Sequence, residues 1–120
     1  MSAIYLTGYN TTNLAHKAWS RIISRQRYDA TQRRLVWSIT LDYAWNIINK
    51  QSWKCALTGV DFEVGGKANP NQPSMDRIDP TKGYEPGNIM FVTLQMNRIK
   101  LNLQLDEFVN VCKKVIETRG

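Results

Sequence analysis

All four prolines and five of the seven glycines of this 120-residue chain fall between Gly59 and Gly87. Proline removes a backbone donor and glycine favours turns, so this stretch cannot be continuous helix. From residue 52 to residue 92 the helical period is absent. Cys55–Gly59 and Val60–Val64 read as short extended pieces, and Gly65-Gly66 with Asn69–Pro73 as a loop. Ser74–Asp79 reads as a further extended segment, Pro80–Gly83 and Glu85–Gly87 as turns, and the apolar run Ile89–Val92 as a strand.

Helical periodicity flanks this region on both sides. Ala15, Ala18, Trp19, Ile22 and Ile23 share one face of a helix expected over 12–27, capped by Thr11 or Thr12, with Lys17, Arg21 and Arg25 on another face. Residues 28–38 read as a polar connector. A second helix is expected from Thr40 as N-cap, with Leu41, Ala44, Trp45 and Ile48 at helical spacing. Residues 93–102 have helix-compatible composition. A last helix is expected over 105–118, its stripe of Leu105, Phe108, Val109, Cys112, Val115 and Ile116 bracing the core. The class this implies is α+β, a small β-hairpin region wrapped by N- and C-terminal helices. The length fits one domain over 1–120. Within it, 1–51 form a basic helical part, 52–102 the central hairpin region and 103–120 the last helix.

The net charge of +6 is unevenly placed. The first 54 residues carry eight basic and two acidic side chains, whereas the remaining 66 carry eight of each. A one-sided basic segment suits a polyanion, because each Lys or Arg set on a phosphate releases counterions. The alternative is a solvated helix face. Lys17, Arg21, Arg25, Arg33 and Arg34 are the candidate backbone-tracking residues, joined by Arg98 and Lys100 further on. No apolar run reaches the ~18 residues that span a bilayer. The N-terminus lacks the charged and apolar regions of a secretory signal, so a cytoplasmic location is expected. Two cysteines, Cys55 and Cys112, are too few for a disulfide framework or a four-thiolate zinc site. Cys112 reads as a small buried hydrophobe.

Five blocks occur in order: Cys55-Ala-Leu-Thr-Gly59, Ser74-Met-Asp-Arg-Ile-Asp79, Lys82-Gly-Tyr84, Gly87-Asn88 and Asn97-Arg-Ile-Lys100. Together they resemble the HNH family of nucleases, whose core is the ββα-metal or His-Me finger motif, and more closely the small phage-encoded HNH-like proteins. The resemblance covers about residues 40–118. It implies a hairpin and a helix converging on one divalent ion, Mg²⁺ or Mn²⁺, with DNA as partner and RNA left open. It implies hydrolysis of a phosphodiester by nicking or cleavage, in a host bacterial cytoplasm if the protein is phage-encoded. By position, Asp76 and Asn97 take the metal-ligand places and Asn88 the middle asparagine that orients the loop.

Arg77 stands where the family places its general-base histidine. A guanidinium stays protonated at neutral pH and cannot accept a proton from water, although it can hold a phosphate oxygen. Water activation would then fall to the metal, to a substrate phosphate, or to Asp79 or Tyr84. A salt bridge from Arg77 to Asp79 or another carboxylate is the plainer reading. The lone histidine, His16, reads as a packing or surface residue. The positions that carry zinc-binding cysteines in many relatives correspond to Cys55, Thr58, Thr93 and Met96, so no structural zinc is expected. Two further readings of the same blocks stay open: a non-catalytic nucleic-acid-binding module, and a protein that uses this fold against a host factor.

Overall fold

The computed structural model describes residues 4–5 and 13–120. Its elements, in chain order, are β1 (Ile4–Tyr5), α1 (Asn13–Gln32), α2 (Leu41–Lys50), β2 (Glu63–Val64), β3 (Pro73–Arg77), β4 (Ile89–Thr93), α3 (Leu94–Lys100) and α4 (Leu105–Arg119). β3 and β4 form an antiparallel hairpin with Met75 opposite Phe91 and Asp76 opposite Met90. α3 follows β4 directly, so β3, β4 and α3 make a ββα unit flanked by α1, α2 and α4. The α+β class expected from the sequence is the class observed. β1 and β2 form a separate two-stranded pairing, Ile4 with Val64 and Tyr5 with Glu63.

Every residue of β3 and β4 is buried. A two-stranded hairpin has two open edges, whose backbone groups need partners once buried. Both edges are closed by a glutamine amide. Gln26 on α1 donates to the Met75 carbonyl at 3.0 Å and accepts from the Met75 N–H at 2.8 Å. Gln51, which caps the C-terminus of α2, does the same for Phe91 at 2.8 and 3.0 Å. Each amide thus stands in for one residue of a missing neighbouring strand. The Phe91 carbonyl also accepts from the Ala56 N–H at 3.0 Å, which seats the Cys55–Gly59 turn on the β4 edge.

The same helices carry the apolar core. Trp19, Ile23 and Ala30 on α1 and Ala44 and Ile48 on α2 pack with Trp53, Phe62, Met75 and Phe91 in one cluster. Trp45 is edge-on to Trp19 and to Trp53 at centroid separations of 4.9 and 5.4 Å. Trp53 is buried with its indole N–H satisfied by Asn49 Oδ1 at 2.8 Å. The face of the hairpin bearing Met75 meets these rings. Ser74 and Asp76 alternate with it along the strand and therefore point to the opposite face.

Three features differ from the sequence reading. α1 continues through Gln32 rather than ending at 27, because Ala30 is a further buried stripe position four residues beyond Gln26. Residues 28–32 are therefore helix, not connector. Of the extended pieces expected over 55–64, only Glu63–Val64 is a strand; Cys55–Gly59 is a turn in which the Gly59 N–H bonds the Cys55 carbonyl and Gly59 takes φ +73°. The proposed Thr11 and Thr12 caps and Ala15 packing lie outside the residues whose side chains are described. The largest difference concerns α4. Phe108 is its buried residue, while Val109, Val115 and Ile116 are exposed and Cys112 is only half-buried. The stripe does not brace the core beyond the first turns of α4, and Cys112 is not a core residue.

Replacing Gln26 with leucine leaves both outward backbone groups of Met75 without partners, and replacing Gln51 leaves the Phe91 N–H without one, the Phe91 carbonyl keeping the Ala56 N–H. Each substitution should lower the unfolding free energy by about 2 kcal/mol, read from urea denaturation midpoints. The surface change Gln32→Leu, on the exposed side of α1, should change it by less than about 0.5 kcal/mol.

Candidate nucleic-acid and metal site

The polar face of β3 is met by α3. Residues 97 and 100 are one helical turn apart and share a face. Asn97 Nδ2 donates to Ser74 Oγ at 2.7 Å, and Lys100 Nζ lies 3.0 Å from Asp76 Oδ2. Alternation along the strand and helical spacing along α3 thus align two cross-pairs, 74 with 97 and 76 with 100. Thr93, the N-cap of α3, accepts from the Met96 N–H and fixes where the helix starts.

Lys100 is wholly buried, so it cannot be one of the phosphate-contacting residues expected of it. Its ammonium is instead the counter-charge of Asp76, and it also reaches the Arg77 carbonyl at 3.4 Å. Asp76 Oδ2 is buried against that ammonium and has no further partner among the described residues. Burial pushes the Asp76 carboxyl above its ordinary value, against the opposing pull of the Lys100 and Arg77 charges.

Asp76 and Asn97 line one cavity of about 360 Å³ between α1, the end of β3 and α3. At roughly 30 Å³ per water it has room for a phosphate group and several waters. Asn97 Oδ1 is left available by the Nδ2 bond to Ser74. The donor types suit one hard divalent cation: the Asp76 carboxylate, whose Oδ2 is paired with Lys100, and the Asn97 amide on the same cavity, the remaining positions going to water and phosphate. Among the described residues no three His, Cys, Asp or Glu side chains come together.

Arg77 Nη1 donates to the carbonyls of Pro80 and Lys82, at 2.8 and 3.0 Å, and the guanidinium sits 5.6 Å from the centroid of the Tyr84 ring. It therefore holds the loop that follows β3, and makes no salt bridge to Asp79. It also lines the cavity. Asn88 spans the same loop. Its side chain accepts from the Asp79 N–H at 2.8 Å and donates to the Asp79 and Gly83 carbonyls at 3.1 and 2.8 Å. Asn88 is a positioning residue, since all these contacts are to backbone and it does not line the cavity.

Asp79 is placed away from the cavity. Its carboxylate accepts from the Thr81 hydroxyl and N–H and from Gln104, which hold it well below the usual carboxylate range, at about 2. Tyr84 lines the cavity, but burial raises its phenol above the ordinary value and keeps it protonated. Neither is a base for water at neutral pH. His16 stacks edge-on against Trp45 at 4.5 Å, outside this cavity, as a packing residue.

Of the candidate basic residues, Arg33 and Arg98 line the cavity. Arg98 also lines an adjoining depression with Arg21 and Arg25, which shares the Gln26, Asp29 and Asn97 wall. The two concavities form one basic trough between α1 and the ββα unit. Lys17 and Arg34 are exposed but do not line it. Sequence reading missed Lys67, Gln26 and Asp29, all on the trough wall. Gln26 had a signal, as a polar residue within the Trp19–Ile23–Ala30 stripe; Lys67, in a glycine-rich loop, had none. No family model, curated protein or solved structure matches the chain.

Two outcomes follow for stability. Lys100→Met leaves a buried carboxylate without its counter-charge and should cost about 3–5 kcal/mol, most of it recovered in the double variant Asp76→Asn/Lys100→Met. Asp79 behaves oppositely with acid. Its folded-state value lies below the unfolded one, so its contribution is complete above about pH 4. It is lost as the pH falls through about 2. The stability gap between wild type and Asp79→Asn should be constant near neutrality and close over that window, measured by urea midpoints against pH.

Proposed function

We propose that the protein is a nucleic-acid phosphodiesterase, an endonuclease that holds one divalent cation, Mg²⁺ or Mn²⁺, through Asp76 and Asn97. The observation that carries this reading is the trough: basic side chains of α1 and α3 lead into the cavity that Asp76 and Asn97 line together. That arrangement agrees with the function implied by the resemblance of the Ser74–Asp79 and Asn97–Lys100 blocks to HNH nucleases.

When bound, the cation polarises the scissile phosphate and offsets charge on the departing oxygen. The chain's own part is to align the strand. Arg21 and Arg25 take the backbone at the outer end of the trough, and Arg98 and Arg33 take it beside the cavity. Arg77, fixed by its two carbonyl bonds, presents a permanent positive charge there, which favours the negative transition state without moving a proton. Asn88 keeps the Arg77-bearing loop in place. Asp29 is the second carboxylate on the wall and the group other than Asp76 able to accept a proton from water. No element of the described structure presents a base-reading module, so weak sequence preference is expected.

One observation favours a second reading. The Lys100 ammonium already neutralises Asp76, which suits a fold that binds the backbone without cutting it. Supercoiled-plasmid nicking separates the two. Wild type should cut with Mg²⁺ or Mn²⁺ and be inert in EDTA. Asn97→Ala, with circular dichroism unchanged, and the charge-balanced double variant Asp76→Asn/Lys100→Met should each lose at least about 100-fold in rate. Arg21→Ala/Arg25→Ala should weaken DNA binding and flatten its dependence on salt. Salt-sensitive binding without cutting in any metal, unaffected by Asp76→Asn, would establish the second reading instead.

A further inference from the structure

α4 is attached at one end and bare beyond it. Leu105 packs against the core, Phe108 is buried, and Gln104 donates to Asp79 at 2.9 Å. Past that point the helix presents Val109, Val115 and Ile116 at 40%, 56% and 67% exposure, with half-buried Cys112 between them. Leu105, Val109, Cys112 and Ile116 recur at the four-three-four spacing of a seam that faces another helix.

The charges beside this seam say what kind of helix fits. At 100° per residue, Asp106 and Lys113 fall on the same flank of the stripe, two turns and roughly 10 Å apart along the axis. Both are exposed, and neither has an ion-pair partner among the described residues. In an antiparallel pair of helices, residues on the same flank face each other across the seam. A two-fold axis between Val109 and Asn110 would set Asp106 of each copy against Lys113 of the other, twice over, with Leu105 between Cys112 and Ile116 of the second copy. The stripe is complementary to itself in charge as well as in shape.

We propose that α4 is a self-association surface, and that two copies of this chain pair through it antiparallel about that axis. A closed two-fold contact of this kind stops at a dimer. The contact is small, so association in the micromolar range is expected. The pairing does not depend on the nuclease reading, and the test uses no activity.

The experiment is sedimentation velocity on the full chain, from low micromolar to several hundred micromolar, in low salt. A monomer–dimer equilibrium is expected. Ile116→Glu should abolish it, and circular dichroism should show the variant folded, since this side chain is exposed. Asp106→Lys and Lys113→Asp should each weaken dimerisation about tenfold by turning two attractions into repulsions, and the double reversal should restore it. Three results would overturn the proposal: a monomer at every concentration, a dimer indifferent to Ile116→Glu, or single reversals that the double variant does not rescue. Capture of a different protein by a chain that stays monomeric would also overturn it.

Discussion

Two amide groups hold this fold together at the place where a hairpin is weakest. Met75 and Phe91 are opposite one another in β3 and β4, and the outward backbone groups of each are taken by one glutamine side chain. Without these amides the carbonyl and N–H of Met75 and the N–H of Phe91 would be unpaired, each costing of the order of 1–3 kcal/mol. Gln26 and Gln51 remove that penalty, and they come from different helices. The same contacts therefore fix α1 against β3 and the end of α2 against β4. Everything near the cavity inherits its position from this clamp.

The site follows from the strand's alternation. Met75 turns its side chain into the aromatic core, so Ser74 and Asp76 must face away from it, where α3 lies. Starting α3 immediately after β4, under the Thr93 cap, places Asn97 and Lys100 over those two residues. The pair of Asp76 with Lys100 has a double character. It makes the burial of a carboxylate tolerable, and it holds that carboxylate on the wall of a cavity reached by the basic trough. The loop from Ile78 to Asn88 is fixed from two sides, by Asn88 across it and by Arg77 beneath it.

Much of the architecture was legible in local pattern. The Thr40 cap, the four-residue spacing of α2 and the apolar run of β4 are short-range signals, and the elements lie where those signals put them. The proline and glycine clusters likewise marked the turns around the hairpin. What was not legible depends on long-range pairing. Lys100 reads as a surface base until the strand that buries it is known. Asp29 sits in a segment whose polarity suggested a connector, because the single buried position of its helical part is a small alanine, Ala30. Amphipathic spacing on α4 showed an apolar face, and did not show that the chain's own core leaves most of it exposed. Arg77 and Asp79 are neighbours in sequence, yet their partners are backbone carbonyls and Thr81, which no spacing rule supplies.

The central claim is that Asp76 and Asn97 hold one divalent cation at the inner end of the trough. Paramagnetic broadening by substoichiometric Mn²⁺ in amide-resolved NMR spectra tests it most directly, because the effect is local and independent of turnover. The account predicts selective loss of the signals of residues 74–77 and 94–98 and of the Asn97 side-chain amide, abolished by Asp76→Asn. Broadening confined to the acidic start of α4, or no residue-selective broadening at all, would contradict it.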